Sequence, residues 1–167
     1  MKGHEKMCSE KRVASKKLDV LVSEVYNSLL GPMKKRNIEK VSLFIFDVLD
    51  FIMKNKPYVC NELFREVMDS SRKYLIEKEI SFSDFYKESK KLREYMREGK
   101  GKKWFTWDEP EISCIRALLG VFVKMETEND HEYILSDTFL QVVECVNMNI
   151  ELINEDELIK YINKYFN

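Results

Sequence analysis

Two histidines, four cysteines and several clusters of carboxylates are the side chains in this sequence with types suited to chemistry. A histidine metal site needs several ligands at defined spacing, usually with Cys or carboxylate partners close by. His4 and His131 stand far apart, and neither falls on an apolar periodic face, so both read as solvated loop residues. Cys8, Cys60, Cys114 and Cys145 form no CxxC pair. Three of them sit within apolar helical patterns, where a free thiol behaves as a small hydrophobe, so reduced structural cysteines are expected. Nucleophilic catalysis needs Ser or Cys beside an oriented base, and no GxSxG elbow or P-loop occurs. KGKK at 100–103 reads as a solvated surface loop rather than a phosphate cradle. No catalytic residue, cofactor or metal is expected.

The carboxylates are more informative. They cluster as Asp108, Glu109 and Glu111; Glu126, Glu128, Asp130 and Glu132; and Glu155, Asp156 and Glu157. Acid–base work needs one carboxyl desolvated so that its pKa rises. These clusters fall at expected helix starts or in a loop, where water and capping N–H groups keep carboxylates ionised. Capping explains part of them, and an acidic recognition surface explains the remainder.

Charge is strongly segregated along the chain. Residues 1–103 hold 24 Lys+Arg against 16 Asp+Glu, a net of +8, whereas residues 104–167 hold 4 against 13, a net of −9. Such asymmetry points to partner recognition or to self-complementarity. The sign changes across KGKKWFTWDEPEI, where Trp104 and Trp107 add residue types enriched at interfaces. The partner-facing candidates are therefore Trp104, Trp107, Asp108, Glu109, Glu126, Glu128, Asp130 and Glu132. The opposing candidate is a nucleic-acid surface on the basic segment 83–103, with Lys87, Lys90, Lys91, Arg93 and Arg97 on one helix side. Interleaved Glu88, Glu94 and Glu98 argue against it.

Helices must position these groups. Pro and Gly together number eight in 167 residues, with 44% hydrophobic residues, so an all-α single-domain bundle of six to seven helices is expected. Residues 1–14 lack periodicity and read as a flexible basic tail, leaving 15–167 as the helical domain. Leu18, Leu21, Val22, Val25 and Leu29 mark the first helix, stopped by Gly31 and Pro32. The second starts with Asn37 as cap and carries so wide an apolar face (Ile38, Val41, Ile45, Val48, Leu49, Ile52, with Phe44 and Phe51) that it should be the centre of the bundle. A third is expected over Tyr58–Lys78, and a fourth begins at the Ser81–Asp84 pair, with Ser83 as an alternative cap. Asp108 and Glu111 suggest a capping box for the fifth, stapled by Trp107 and Ile112 and ending around Met125. Ser136 caps a sixth, whose 139–146 run is rich enough in Val to be read as helix or strand. Asn154 and Glu157 start the seventh, with Ile153 stapled to Leu158.

The succession KYLIEKE, ISFSDFYKESKKL, a loop and EISCIRALLGVF, within Arg72–Phe122, resembles the helix–turn–helix succession of all-helical bacterial toxin-immunity proteins from contact-dependent inhibition and polymorphic toxin systems. That resemblance implies a non-enzymatic protein that binds and neutralises a basic toxin domain, and an acidic C-terminal surface would steer such a partner electrostatically. Self-association of the two oppositely charged halves, as in a homodimer, would account for the same asymmetry. The N-terminus lacks an apolar leader and the longest apolar run, Leu43–Phe46, is far too short for a membrane, so a cytoplasmic location is expected.

Overall fold

A computed structural model describes residues 14–32, 34–98, 109–123, 133–147 and 152–167. Among them the chain forms seven α-helices and no strand: α1 (Lys16–Ser28), α2 (Lys35–Asn55), α3 (Glu62–Leu75), α4 (Phe82–Glu98), α5 (Pro110–Leu119), α6 (Ile134–Asn147) and α7 (Glu155–Phe166). The all-α single-domain bundle expected from composition is what the chain adopts.

The wide apolar face of α2 has the consequence its sequence implies. Val41, Phe44, Ile45, Val48, Leu49 and Ile52 are all fully buried, because α2 is flanked by α3, α5, α6 and α7. α1 leans on α6 and α7, and α4 joins the bundle through α3 and α5. Two aromatic clusters weld these layers. Phe44 meets Phe139 at 5.5 Å and Phe166 at 5.6 Å between ring centroids, joining α2, α6 and the C-terminal end of α7. Phe85 stacks on Tyr74 at 4.8 Å and on Phe122 at 4.4 Å, tying α4 to α3 and to the turn after α5. Such pairs add about 0.5–1.5 kcal/mol each beyond the area they bury.

Local chemistry sets the helix starts. Ser15 accepts from Leu18 N–H at 3.2 Å, Ser81 from Asp84 N–H at 3.1 Å and Asn154 from Glu157 N–H at 2.9 Å; each satisfies one orphan donor of a first turn. Ile153 and Leu158, the expected staple pair, are both buried.

Four starts depart from expectation. α2 begins at Lys35 without a side-chain cap, and Asn37 lies inside its first turn with its N–H on Lys34 O at 2.9 Å. The third helix does not run from Tyr58 to Lys78: Pro57–Val59 makes a 3-10 turn, and Asn61 caps α3 by accepting from Phe64 N–H at 2.8 Å. It ends at Leu75, and Lys78 adopts a left-handed φ of 57° while Glu79 N–H returns to Lys73 O at 2.8 Å. For α5 the cap is Glu109 rather than Asp108, because Pro110 takes the first helical position, where its fixed φ fits and its missing N–H costs nothing. α5 ends at Leu119 and passes into a 3-10 turn, Gly120–Phe122; Met125 lies outside the described residues. For α6, Ser136 is buried within the helix, which starts two residues earlier, and its hydroxyl donates to Tyr133 O at 3.0 Å. The Val-rich 139–146 run is helical, since Phe139, Val142, Val143 and Val146 fall on one helical face and are all buried.

Two glycines matter to this frame. Gly31 sits at φ +101°, the left-handed turn that ends the first helical segment before Pro32. Gly120 lies where α5, α2 and α6 press together: a Cβ there would stand 2.9 Å from Ile45 Cδ1 and 3.2 Å from both Thr138 and Val142 methyls.

Candidate functional site

Of the partner-facing candidates, Glu109 is within the described residues; Trp104, Trp107, Asp108, Glu126, Glu128, Asp130 and Glu132 lie outside them, as do His4, His131 and the KGKK run. Glu109 is half-buried at the start of α5, near enough to Tyr95 for its charge to help raise that phenol's pKa.

Glu111, expected to close a capping box, works across the fold instead. Its Oε1 accepts from Asn61 Nδ2 at 2.9 Å and from Tyr95 Oη at 2.5 Å. One carboxylate thereby ties the cap of α3, the outer turn of α4 and the first turn of α5. Burial, then the bond to Glu111, pushes the Tyr95 pKa up to about 12. Three further described carboxylates of the acidic third also have partners within the chain, whereas Glu144 and Asp156 are exposed. Asp137 accepts from Tyr26 Oη at 2.9 Å, Glu155 accepts from Ser15 N–H at 3.3 Å and from its hydroxyl, and Glu157 pairs with Lys160 at 3.3 Å.

The basic helix side is partly neutralised. Lys87 pairs with Asp84 at 3.2 Å and Lys91 with Glu88 at 3.0 Å, each within one turn of α4. The Lys87 ammonium, with the Ser81 hydroxyl, holds the Asp84 carboxyl below its usual range. Arg93 lies over the Tyr86 ring, 5.7 Å from its centroid. Exposed pairs of this kind contribute about 0–1 kcal/mol, yet they lower the field a polyanion would meet.

Cys60, Cys114 and Cys145 are buried free thiols. Cys60, on the turn before α3, and Cys114, on α5, hydrogen-bond to each other. That bond lowers the Cys60 pKa, while the same bond and deep burial hold Cys114 well above the ordinary thiol value. Burial pushes Cys145 up to about 11. Three or more His, Cys, Asp and Glu placed to hold a metal ion do not occur among the described residues. Nor, among them, is any helix long and apolar enough to cross a membrane.

One grouping escaped sequence reasoning. Arg93 and Arg97 of α4, Arg116 of α5 and Gln141 of α6 border a single cavity of about 300 Å³, floored by Met96 and Leu119. The available signal was that Arg116 is the lone arginine among residues 104–167.

No protein-family model matches the chain, and neither a characterised protein nor a solved structure matches it.

Proposed function

We propose that this chain is a non-enzymatic protein-binding module, of the immunity-protein kind, that neutralises a basic partner domain through the acidic segment around Glu126, Glu128, Asp130 and Glu132. The observation that carries this reading is the internal commitment of the neighbouring carboxylates: Glu111, Asp137, Glu155 and Glu157 all have partners inside the fold. Segment 126–132 is then the densest run of the remaining acidic residues, four carboxylates in seven positions, with Glu144 and Asp156 exposed elsewhere. A dense patch of one sign accelerates encounter with an oppositely charged surface and rejects partners of like charge.

The supporting chemistry is consistent across the chain. The hydroxyl-bearing residues Ser15, Ser71, Ser81, Ser89 and Ser136 are spent on caps and backbone carbonyls, as expected of a scaffold that displays a surface rather than a nucleophile. The alternative, nucleic-acid binding by segment 83–103, is weakened by the Lys87–Asp84 and Lys91–Glu88 pairs. Capture with the purified chain as bait, followed by reconstitution with the purified captured protein, tests the first reading. A basic partner forming a defined complex supports it. A salt-sensitive gel shift with mixed DNA and RNA, in the absence of such a complex, would favour the alternative.

A further inference from the structure

The arginine-rimmed cavity has its own chemistry. It opens between α4, α5 and α6, with Arg93 and Arg97 one helical turn apart on one wall, Arg116 and Gln141 on the others, and Met96 and Leu119 as floor. A second cavity of about 140 Å³ shares Arg116, Leu119 and Gln141 with the first and extends it toward Gly120 and Thr138. The result is a trench with a cationic end and an apolar bed.

Three features point to a ligand. The described lining of the larger cavity brings together three guanidinium groups, a local concentration of positive charge. Guanidinium forks present planar pairs of N–H donors that match carboxylate and phosphate oxygens. Arg93 is held over the face of Tyr86 at 5.7 Å, which restrains the side chain while leaving its edge donors for another acceptor. Arg116 is half-buried, and its five N–H donors let it serve a protein contact and a ligand together. The volume, about 300 Å³, is at the small end of the ~300–1,000 Å³ typical of small-molecule sites. It is more than a bare inorganic ion would fill, and the Met96–Leu119 bed would be wasted on one.

We propose that this trench binds a small organic anion with two or more negative charges, carried as phosphate or carboxylate groups on an apolar or aromatic body. The charged groups sit among Arg93, Arg97 and Arg116, the Gln141 amide donates to an oxygen at the rim, and the body lies over Met96 and Leu119. This site goes beyond the protein-binding reading and stands or falls independently of it.

Isothermal titration calorimetry with phenyl phosphate and with phthalate, at constant ionic strength, tests the proposal and separates the phosphate and carboxylate sources. Saturable one-to-one binding of at least one of them is expected, with benzyl alcohol, which lacks the charge, giving none. Arg93→Ala combined with Arg97→Ala should weaken binding by roughly tenfold or more, the scale of losing a charge-assisted contact. Both side chains are exposed, so the melting temperature should not move. Gln141→Trp, also at an exposed position, should fill the mouth and abolish binding by an independent route. The proposal is overturned if neither anion binds, if the arginine and Trp variants bind as the unaltered chain does, or if a short single-stranded RNA displaces the aromatic anions and is itself the tighter ligand.

Discussion

Tyr95 and Glu111 are joined by a hydrogen bond of 2.5 Å from phenol to carboxylate, across the contact of α4 with α5. The carboxylate is half-buried and also accepts from Asn61, so three segments distant in sequence depend on one side chain. Removing an acceptor from such a site leaves its donors unsatisfied, at about 1–3 kcal/mol. Glu111→Ala is expected to lower unfolding stability by that amount in urea denaturation. In a double-mutant cycle with Tyr95→Phe, the two losses should be less than additive. Additive losses would show that the contact carries no coupling.

The same phenol gives the fold an alkaline limit. Tyr95 and Tyr165 are each pushed from 10.0 up to about 12, by burial first and then by their carboxylate partners Glu111 and Asp47. Both are neutral when protonated, and the native state holds the proton more tightly than the unfolded chain. Their contribution is therefore complete below the unfolded value near 10.0 and is lost as pH rises through about 12. Denaturation midpoints should fall across that window, and fall less steeply in the Tyr95→Phe, Tyr165→Phe double variant.

Gly120 offers a packing test. Its Cβ position lies 2.9 Å from Ile45 Cδ1, the tip of a fully buried side chain on the central helix, and 3.2 Å from the Thr138 and Val142 methyls. Gly120→Ala should destabilise by about 1–3 kcal/mol, the usual cost of overpacking, even though alanine is the better helix former. An unchanged or raised melting temperature would mean that the α2–α5–α6 junction is looser than described.

The thiols should react in a fixed order. Cys60 has its pKa lowered by the bond from Cys114, whereas Cys114 and Cys145 are raised by hydrogen bonding or burial. Thiolate is the reactive form. Iodoacetamide labelling of the native protein at mildly alkaline pH, read by peptide mass spectrometry, should modify Cys60 before Cys114 or Cys145. Labelling of Cys145 first would contradict that order.

Periodicity made much of the frame legible. The stripe from Val41 to Ile52 identified α2 as central because a face that wide needs cover from several sides, and four helices do cover it. Ser81 and Asn154 were legible because capping is decided within four residues. Asn61 was hidden behind Pro57 and Cys60, where the apolar spacing of α3 reads as continuing backwards through the 3-10 turn. Glu111 was misassigned for a different reason: its spacing fits a capping box, and only the packing of α3 and α4 against α5 supplies the partners that outcompete it. The Arg93–Arg97–Arg116 grouping depends on which helices become neighbours, and no local pattern records that.

Charge reversal in the acidic segment bears most directly on the proposed function. Glu126→Lys, Glu128→Lys and Asp130→Lys, combined in one variant, should be titrated against the captured partner at low and moderate salt, beside the unaltered chain. Affinity weaker by roughly tenfold or more, a slower association rate and an unchanged melting temperature are expected from the loss of a steering surface. Unchanged affinity and salt dependence in a folded variant would contradict the assignment of 126–132 as the contact face.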